Sequence, residues 1–320
     1  MDEFALIDAF LEAFDVAEPR ELVLGPGDDC ALLALAEDEE LCISVDSLIS
    51  DTHFPAQAPA TLVGYRALAV SLSDLAAMGA KPIAFLVALS VERPDLRWIR
   101  ELAFGMRELA MPMNVAVAGG NLANGPLNLT ITVIGSVPRG QGLRRGGARP
   151  GDQIFVSGRL GEAQLGLARA REYREPDLEP LLRAAPGSPL HPIRRYFLPT
   201  PRLELGQRLR GIATAAIDLS DGLLADLGQI CGASGIGARL ELARLPLGAG
   251  VVVEGAFSGD DYELCFTVPG SRTADVDALS EELRMDLTLI GTTVEDEGIT
   301  CVDAAGKPSA VEPHGFRHFR

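Results

Sequence analysis

Gly25-Pro26-Gly27-Asp28-Asp29-Cys30-Ala31-Leu32-Leu33 is the stretch on which the reading of this chain turns. Two adjacent carboxylates follow a loop with two glycines and precede an apolar, strand-like run. Neighbouring carboxylates repel, so a fold that keeps both ionised supplies a cation, Arg or Mg²⁺. The theme recurs in Ser44-Val45-Asp46-Ser47, in Ser71-Leu72-Ser73-Asp74-Leu75, and in Asp218-Leu219-Ser220-Asp221-Gly222. Each aspartate stands beside small or hydroxyl residues, at what reads as a strand end or within a helix. Such a set is rich in oxygen donors and poor in nitrogen, and it predicts Mg²⁺ and phosphate chemistry.

A chain of 320 residues is comfortable for two domains, and 47% hydrophobic residues with 5% aromatics predict an Ala/Leu/Val-packed core. The formal net charge of -17 repels a nucleic-acid backbone. It leaves room for a nucleotide, since Mg²⁺ bridges acidic sites to polyphosphates. Cys30, Cys42, Cys231, Cys265 and Cys301 are odd in number and never spaced C-x-x-C. They predict reduced, buried thiols rather than a disulfide frame or a zinc site. The start, Met1-Asp2-Glu3-Phe4, lacks the basic region of a signal peptide. Pro82 to Val91 is the most apolar run and is about half of a membrane span. A soluble, cytoplasmic protein is expected.

Phe4, Leu6, Ile7, Phe10, Leu11 and Phe14 recur at helical spacing, and Pro19 closes that helix. Leu41 to Val45 alternates as a strand with Asp46 at its end. Leu62 to Ala76 carries a helical stripe that stops at Gly79, with Asp74 off the stripe. Ile83 to Val91 reads as a buried strand and Leu96 to Leu109 as a helix. Asn114 to Ala118 reads as a short strand ending in Gly119-Gly120-Asn121, and Leu127 to Val137 as a further strand. Pro138 to Gly151 holds the densest cluster of Gly and Arg in the chain and is the predicted domain boundary. Beyond it come a strand at Gln153 to Ser157, a helix from Glu162, and a Pro/Arg-rich link from Ala185 to Pro201. A strand at Thr214 to Ile217, a helix after Asp221 and a strand from Asp261 to Val268 follow. The texture is α/β (α+β) in both halves, with neither a Rossmann nor a Walker loop.

Taken singly, these residues also admit ordinary roles. Aspartates before small residues cap helices and form turns, Arg144-Arg145 suits a solvated linker, and Cys30 and Cys265 sit in apolar runs that read as core. His191, His314 and His318 have no partner spacing. Order and wording decide. Gly27-Asp28-Asp29-Cys30-Ala31, His53-Phe54 and Ala67 to Ala80 (containing LSDLAAMGA) are followed by Arg149-Pro150-Gly151-Asp152 and Pro199-Thr200-Pro201-Arg202. Then come Ala216 to Leu223 (containing DLSDGL), Asp261 to Phe266 and the closing Gly315-Phe316-Arg317-His318-Phe319.

In these motifs the chain resembles the thiamine-monophosphate kinases, within the superfamily that also holds aminoimidazole-ribonucleotide synthetase, selenophosphate synthetase and a hydrogenase-maturation enzyme. The resemblance covers nearly the whole chain. It implies a two-domain subunit, with a metal, ATP and dimerisation domain over 1–138, a Gly/Arg-rich linker over 139–151 and an α/β domain over 152–320. The N-terminal sheet would form the barrel of a homodimer, with ATP and several Mg²⁺ held in a cleft. The implied reaction is phosphoryl transfer from ATP to thiamine monophosphate. Implied metal positions are Asp28, Asp46, Asp74, Asp218 and Asp221, with Ser44. Implied ATP contacts are Gly120, Asn121, Arg145 and Ser220, with Phe104 for the adenine. Implied substrate contacts are His53, Asp260 and Phe316. Asp74, Asp221 and Arg145 would act in catalysis.

Two positions depart from the family's pattern. Gly119-Gly120-Asn121-Leu122 stands where Gly-Gly-Asp-Thr is common, and Val45 where Thr is usual. An amide brings an oxygen without charge and Val brings no ligand, so one weakened or missing metal is expected there. Asp260 stands where Glu is more usual, which shortens reach. The competing readings are a related ATP-dependent enzyme with another small acceptor, and a binding relic without turnover.

Overall fold

The apolar repeat from Phe4 to Phe14 folds as predicted into helix α1 (Glu3–Phe14), which buries Leu6, Ala9 and Phe14. The computed structural model describes residues 3–93 and 95–309, so Phe316 and the closing motif lie outside the described residues. The chain divides into two units that interleave in sequence. The first comprises Met1–Leu75, Lys81–Gly140 and Leu167–Pro199, the second Ala76–Ala80, Gln141–Gly166 and Thr200–Arg320. Among the described residues, no helix is long and apolar enough to cross a membrane.

In the first unit β1 (Leu22–Leu24) and β2 (Leu32–Leu33) form a small antiparallel pair. The strands β3 (Glu39–Ile49), β4 (Lys81–Ser90), β5 (Ala116–Ala123) and β6 (Asn128–Pro138) form a sheet in the order β3-β6-β4-β5. Only β4 and β5 run parallel, and parallel neighbours need a crossover, here α3 (Leu96–Ala110). Before it in the chain, α2 (Ala60–Ala77) is buried nearly all round. Two glycines let α2 and α3 touch. A Cβ at Gly64 would lie 2.1 Å from the Leu102 carbonyl oxygen, and one at Gly105 only 1.9 Å from that of Thr61.

Three local readings are corrected in this unit. Strand β3 does not stop at Val45, because its alternation continues and β6 pairs it residue by residue, Asp46 opposite Ile131. Asp46 therefore sits inside the strand. Gly119-Gly120-Asn121 lies within β5 rather than after it, since β4 pairs with it as far as Ala123. Gly120 is required there, as a Cβ would approach the Val87 carbonyl oxygen to 2.1 Å. Cys30 is exposed rather than core, because the apolar run beyond it forms only the two-residue β2.

After α3 come α4 (Glu162–Ala170), α5 (Glu179–Leu182) and α6 (His191–Phe197). Helix α6 replaces part of the predicted link from Ala185 to Pro201. Its proline falls in the first turn, where a missing N–H is tolerated, and Ile193, Tyr196 and Phe197 are buried.

The second unit is built on a six-stranded sheet. Its strands are β7 (Gln153–Ser157), β8 (Ala215–Asp218), β9 (Gly237–Glu241), β10 (Leu264–Val268), β11 (Leu287–Val294) and β12 (Gly298–Val302), in the order β12-β9-β11-β7-β10-β8. Helices α7 (Leu203–Leu209), α8 (Leu223–Ser234) and α9 (Thr273–Leu283) complete it. Ile154, Val156, Ile217, Leu223, Leu227 and Ile290 share one core. Strand β10 starts at Leu264 instead of Asp261, because Asp260 and Tyr262 hold left-handed φ values of 67° and 50°. Extended strands exclude such values.

Candidate active site

Side chains two apart on a strand share a face, so Ser44 and Asp46 emerge together from β3. Asp74 of α2 meets them, its carboxylate accepting the Ser44 hydroxyl. Burial, followed by the Asp74 charge, pushes the Asp46 carboxyl up to about 6, against the pull of a Ser71 hydrogen bond. Val45 points to the opposite face of β3, 59% exposed. A hydroxyl there would not join Ser44 and Asp46, so within this unit the departure at Val45 does not subtract a side-chain donor from their group.

Asp28 and Asp29 are exposed, with the Asp29 N–H donating to Asp28 Oδ1 at 2.8 Å. Among the described residues, no three His, Cys, Asp or Glu side chains converge as a metal cage. The donor set nonetheless fits Mg²⁺, which prefers oxygen and takes one or two carboxylates together with water and substrate phosphates.

Gly120 and Asn121 line a cavity of about 100 Å³ with Leu6 and Phe10 of α1, Pro26 and Val117. Its apolar wall suits a flat ring better than a phosphate. Phe104 is exposed on α3 and is not among the lining residues. His53 is half-buried just beyond β3, its Nδ1 accepting the Ile49 N–H at 3.0 Å.

In the second unit Asp218 ends β8, 5% exposed, and the Ser220-Asp221-Gly222 turn leads into α8. Close packing dictates the two glycines here. A Cβ at Gly222 (φ 115°) would lie 2.2 Å from the Phe257 carbonyl oxygen, and one at Gly259 (φ 83°) 2.4 Å from that of Ser220. Asp260 donates its N–H to the Ser220 carbonyl at 2.9 Å, and Tyr262 to Leu219 at 2.8 Å. The turn carrying Asp221 and the loop carrying Asp260 are thereby laced together.

Asp226, which sequence reasoning passed over, holds this turn. Its carboxylate accepts from the backbone N–H of Asp221 at 3.1 Å and of Gly222 at 3.0 Å. Burial, then the Asp221 charge, pushes its carboxyl up to about 7, while Arg145 pulls it down. Arg145 is thus close enough to act on this turn. Its segment is anchored beside β8, the Arg144 carbonyl accepting from Ala216 at 2.9 Å. The signal for Asp226 was its place in the first turn of a helix that starts at a glycine. Glu263 and Arg202 form a hydrogen-bonded pair to which sequence reasoning assigned no role, their two motifs being visible without a link between them.

The first unit therefore brings Ser44, Asp46 and Asp74 together, and the second laces the turn after Asp218, which carries Ser220 and Asp221, to the loop carrying Asp260 through backbone hydrogen bonds. Phe316 lies outside the described residues. Two family models match the chain, "AIR synthase related protein, N-terminal domain" over residues 27–137 and "AIR synthase related protein, C-terminal domain" over 149–304. The thiamine-monophosphate kinase of Escherichia coli (strain K12) is 40% identical over 329 residues, covering 99% of this chain and 98% of that relative. The crystal structure of thiamine-monophosphate kinase from Stenotrophomonas maltophilia K279a matches with TM-score 0.82 and 38% identity, over 97% of this chain and 98% of that one. A structure described as AaThiL complexed with AMPPCP and TMP matches with TM-score 0.74 and 29% identity, over 99% and 97%.

Proposed function

Because the chain belongs to the thiamine-monophosphate kinase family, on the AIR synthase related fold, we propose that it transfers the γ-phosphoryl group of ATP to thiamine monophosphate. The products are thiamine diphosphate and ADP. A phosphate oxygen of the acceptor forms the new P–O bond as the bond to the ADP oxygen breaks, in line and without a phospho-enzyme. That oxygen is already anionic, so no general base is required. The obstacle is repulsion between two polyanions, which positioning and charge neutralisation answer.

Bound Mg²⁺ would supply most of that neutralisation. In the first unit Ser44, Asp46, Asp74 and Asp28 would hold such an ion, and in the second Asp218 and Asp221 would do so. Gly120, Asn121, Phe104 and Ser220 contact ATP. Arg145 stabilises charge on the transferring or leaving phosphate, while His53, Asp260 and Phe316 contact thiamine monophosphate. Asn121 offers an uncharged oxygen where the family commonly has a carboxylate, so metal binding at that position is weaker. An ATP-consuming enzyme of this kind belongs in the cytoplasm.

A homodimer is part of the same reading. Strand β3 is a sheet edge whose outer face exposes Leu41, Ile43 and Val45 by 51%, 59% and 59%. Long apolar edges of this kind favour pairing with a second copy.

The observation that carries the proposal is the 40% identity to a thiamine-monophosphate kinase over 99% of the chain. The test is ADP release with ATP, Mg²⁺ and thiamine monophosphate, the product being identified by mass. Thiamine diphosphate supports it. ADP release only with another acceptor, or binding of both ligands without turnover, overturns it.

A further inference from the structure

We propose that Arg66 and Tyr196 are positioning residues that hold His53 as a fixed hydrogen-bond donor toward an acceptor atom of the phosphorylated substrate. The inference rests on the reading of His53 as a substrate contact and deepens it.

Two buried side chains from separate helices converge on the His53 carbonyl. Arg66 Nε of α2 donates to it at 3.2 Å, and the Tyr196 hydroxyl of α6 at 3.0 Å. Arg66 and Tyr196 are 2% and 1% exposed. They also brace each other, Arg66 donating to the Tyr196 carbonyl at 2.6 Å with its Cζ 4.2 Å from the centre of the Tyr196 ring. A buried guanidinium is costly unless well partnered, so the loop is tied to a rigid group.

His53 is fixed from the other side as well. Its N–H donates to the Ile49 carbonyl at 2.9 Å, and its Nδ1 accepts from the Ile49 N–H at 3.0 Å. A ring nitrogen that accepts carries a lone pair, so the neutral imidazole bears its proton on Nε2. The ring is then a donor of defined direction, and phosphate oxygens are strong acceptors for such a donor.

Two measurements test this. In full-length protein carrying ¹⁵N-histidine, with His53 assigned by its loss in His53→Ala, the nitrogen shifts should report the Nε2–H tautomer. Tyr196→Phe, which keeps the ring but removes one bond to the His53 carbonyl, should make that signal average or broaden. The Nδ1–H tautomer, or a His53 signal that Tyr196→Phe leaves unmoved, would overturn the proposal. Neither result depends on turnover, so failure of the kinase reading stays distinct from failure here.

In kinetics, Tyr196→Phe should raise KM for thiamine monophosphate by about 3- to 10-fold, the scale of one hydrogen bond. KM for ATP and kcat should stay within about 2-fold on the same scale. In a His53→Ala background the same substitution should add nothing, since it acts through His53. Full additivity, or an equal rise in KM for ATP, would count against positioning.

Discussion

Arg202 and Glu263, 61 positions apart, meet in a two-bond fork, Nε to Oε2 at 2.6 Å and Nη2 to Oε1 at 2.5 Å. The Glu263 side chain is 1% exposed and that of Arg202 16%. Ser157 adds a third bond to Oε2 at 2.6 Å. Burial lowers the Arg202 guanidinium but the Glu263 charge overrides it, so the net shift is upward and the pair stays ionised. The fork joins the Pro199–Arg202 motif to the loop that bears Asp260.

Removing one partner leaves a buried charge uncompensated, which costs about 3–5 kcal/mol. Arg202→Met should therefore lower stability by that amount in urea unfolding. The double variant Arg202→Met/Glu263→Leu should recover a large part of it, because both charges are gone. A single variant within about 1 kcal/mol of the parent would match a solvent-exposed pair instead.

Asp46 and Asp74 crowd two carboxylates into one half-buried group, and the raised Asp46 carboxyl records the cost. Asp46→Asn and Asp74→Asn should each reduce turnover by at least about 100-fold, as loss of a preorganised electrostatic group does. In EDTA the same variants should melt no lower than the parent, since one repulsive charge is gone. A large drop in metal-free melting temperature would reassign the residue to a structural role.

Much of this was legible in the sequence because period and punctuation report local structure directly. The stripe from Leu62 to Ala76 became α2, and the strand read from Thr214 to Ile217 became β8, Ala215–Asp218, with Asp218 as its last residue. What stayed hidden depends on contacts distant in sequence. Asp46 inside a strand follows from pairing with β6, which no local pattern encodes. Asp226 looks like an ordinary first-turn acid until the Asp221 and Gly222 N–H groups are seen to converge on it. The left-handed Tyr262 broke a run that propensity alone reads as strand.

Glu21, 4% exposed, accepts from Lys81 Nζ at 2.8 Å. That hydrogen bond lowers its carboxyl, outweighing burial, which raises it, and Arg20 assists. A depressed folded-state value means that the contribution is complete above the unfolded value. It is lost as pH falls through the lowered one. Lys81→Met should flatten the acid limb of the stability curve, because the depression of the Glu21 carboxyl is lost with its largest cause. An unchanged acid limb would show that the pair contributes nothing.

Cys30 adjoins Asp29 and is exposed, whereas Cys231, Cys265 and Cys301 are buried. Burial also pushes the Cys231 thiol up to about 11 and the Cys265 thiol higher still. Alkylation of native protein followed by peptide mass mapping should modify Cys30 first and leave those three unmodified until unfolding. If Asp28 helps to hold Mg²⁺ with ATP, a non-hydrolysable ATP analogue with Mg²⁺ should slow Cys30 labelling. Equal rates with and without the pair would remove Asp28 from the metal set.

Ile43 stands at the centre of the exposed stripe on β3, between Leu41 and Val45. Opposite it on β6 stands Ile134, flanked by Ser136 and Thr132 opposite Leu41 and Val45, so the exposed apolar stripe on this face is the one that β3 itself carries. On the homodimer reading proposed above, this edge strand would bury its stripe and pair its free backbone groups against a second copy. Light scattering should give twice the chain mass for the parent. Ile43→Lys places a charge in the middle of that contact and should weaken association by about 100-fold or more, as loss of a central anchor does. The substitution lies on the face opposite Ser44 and Asp46, so the circular dichroism and the melting profile of the separated chains should stay close to those of the parent. A dimer of undiminished strength would move the interface elsewhere on the molecule.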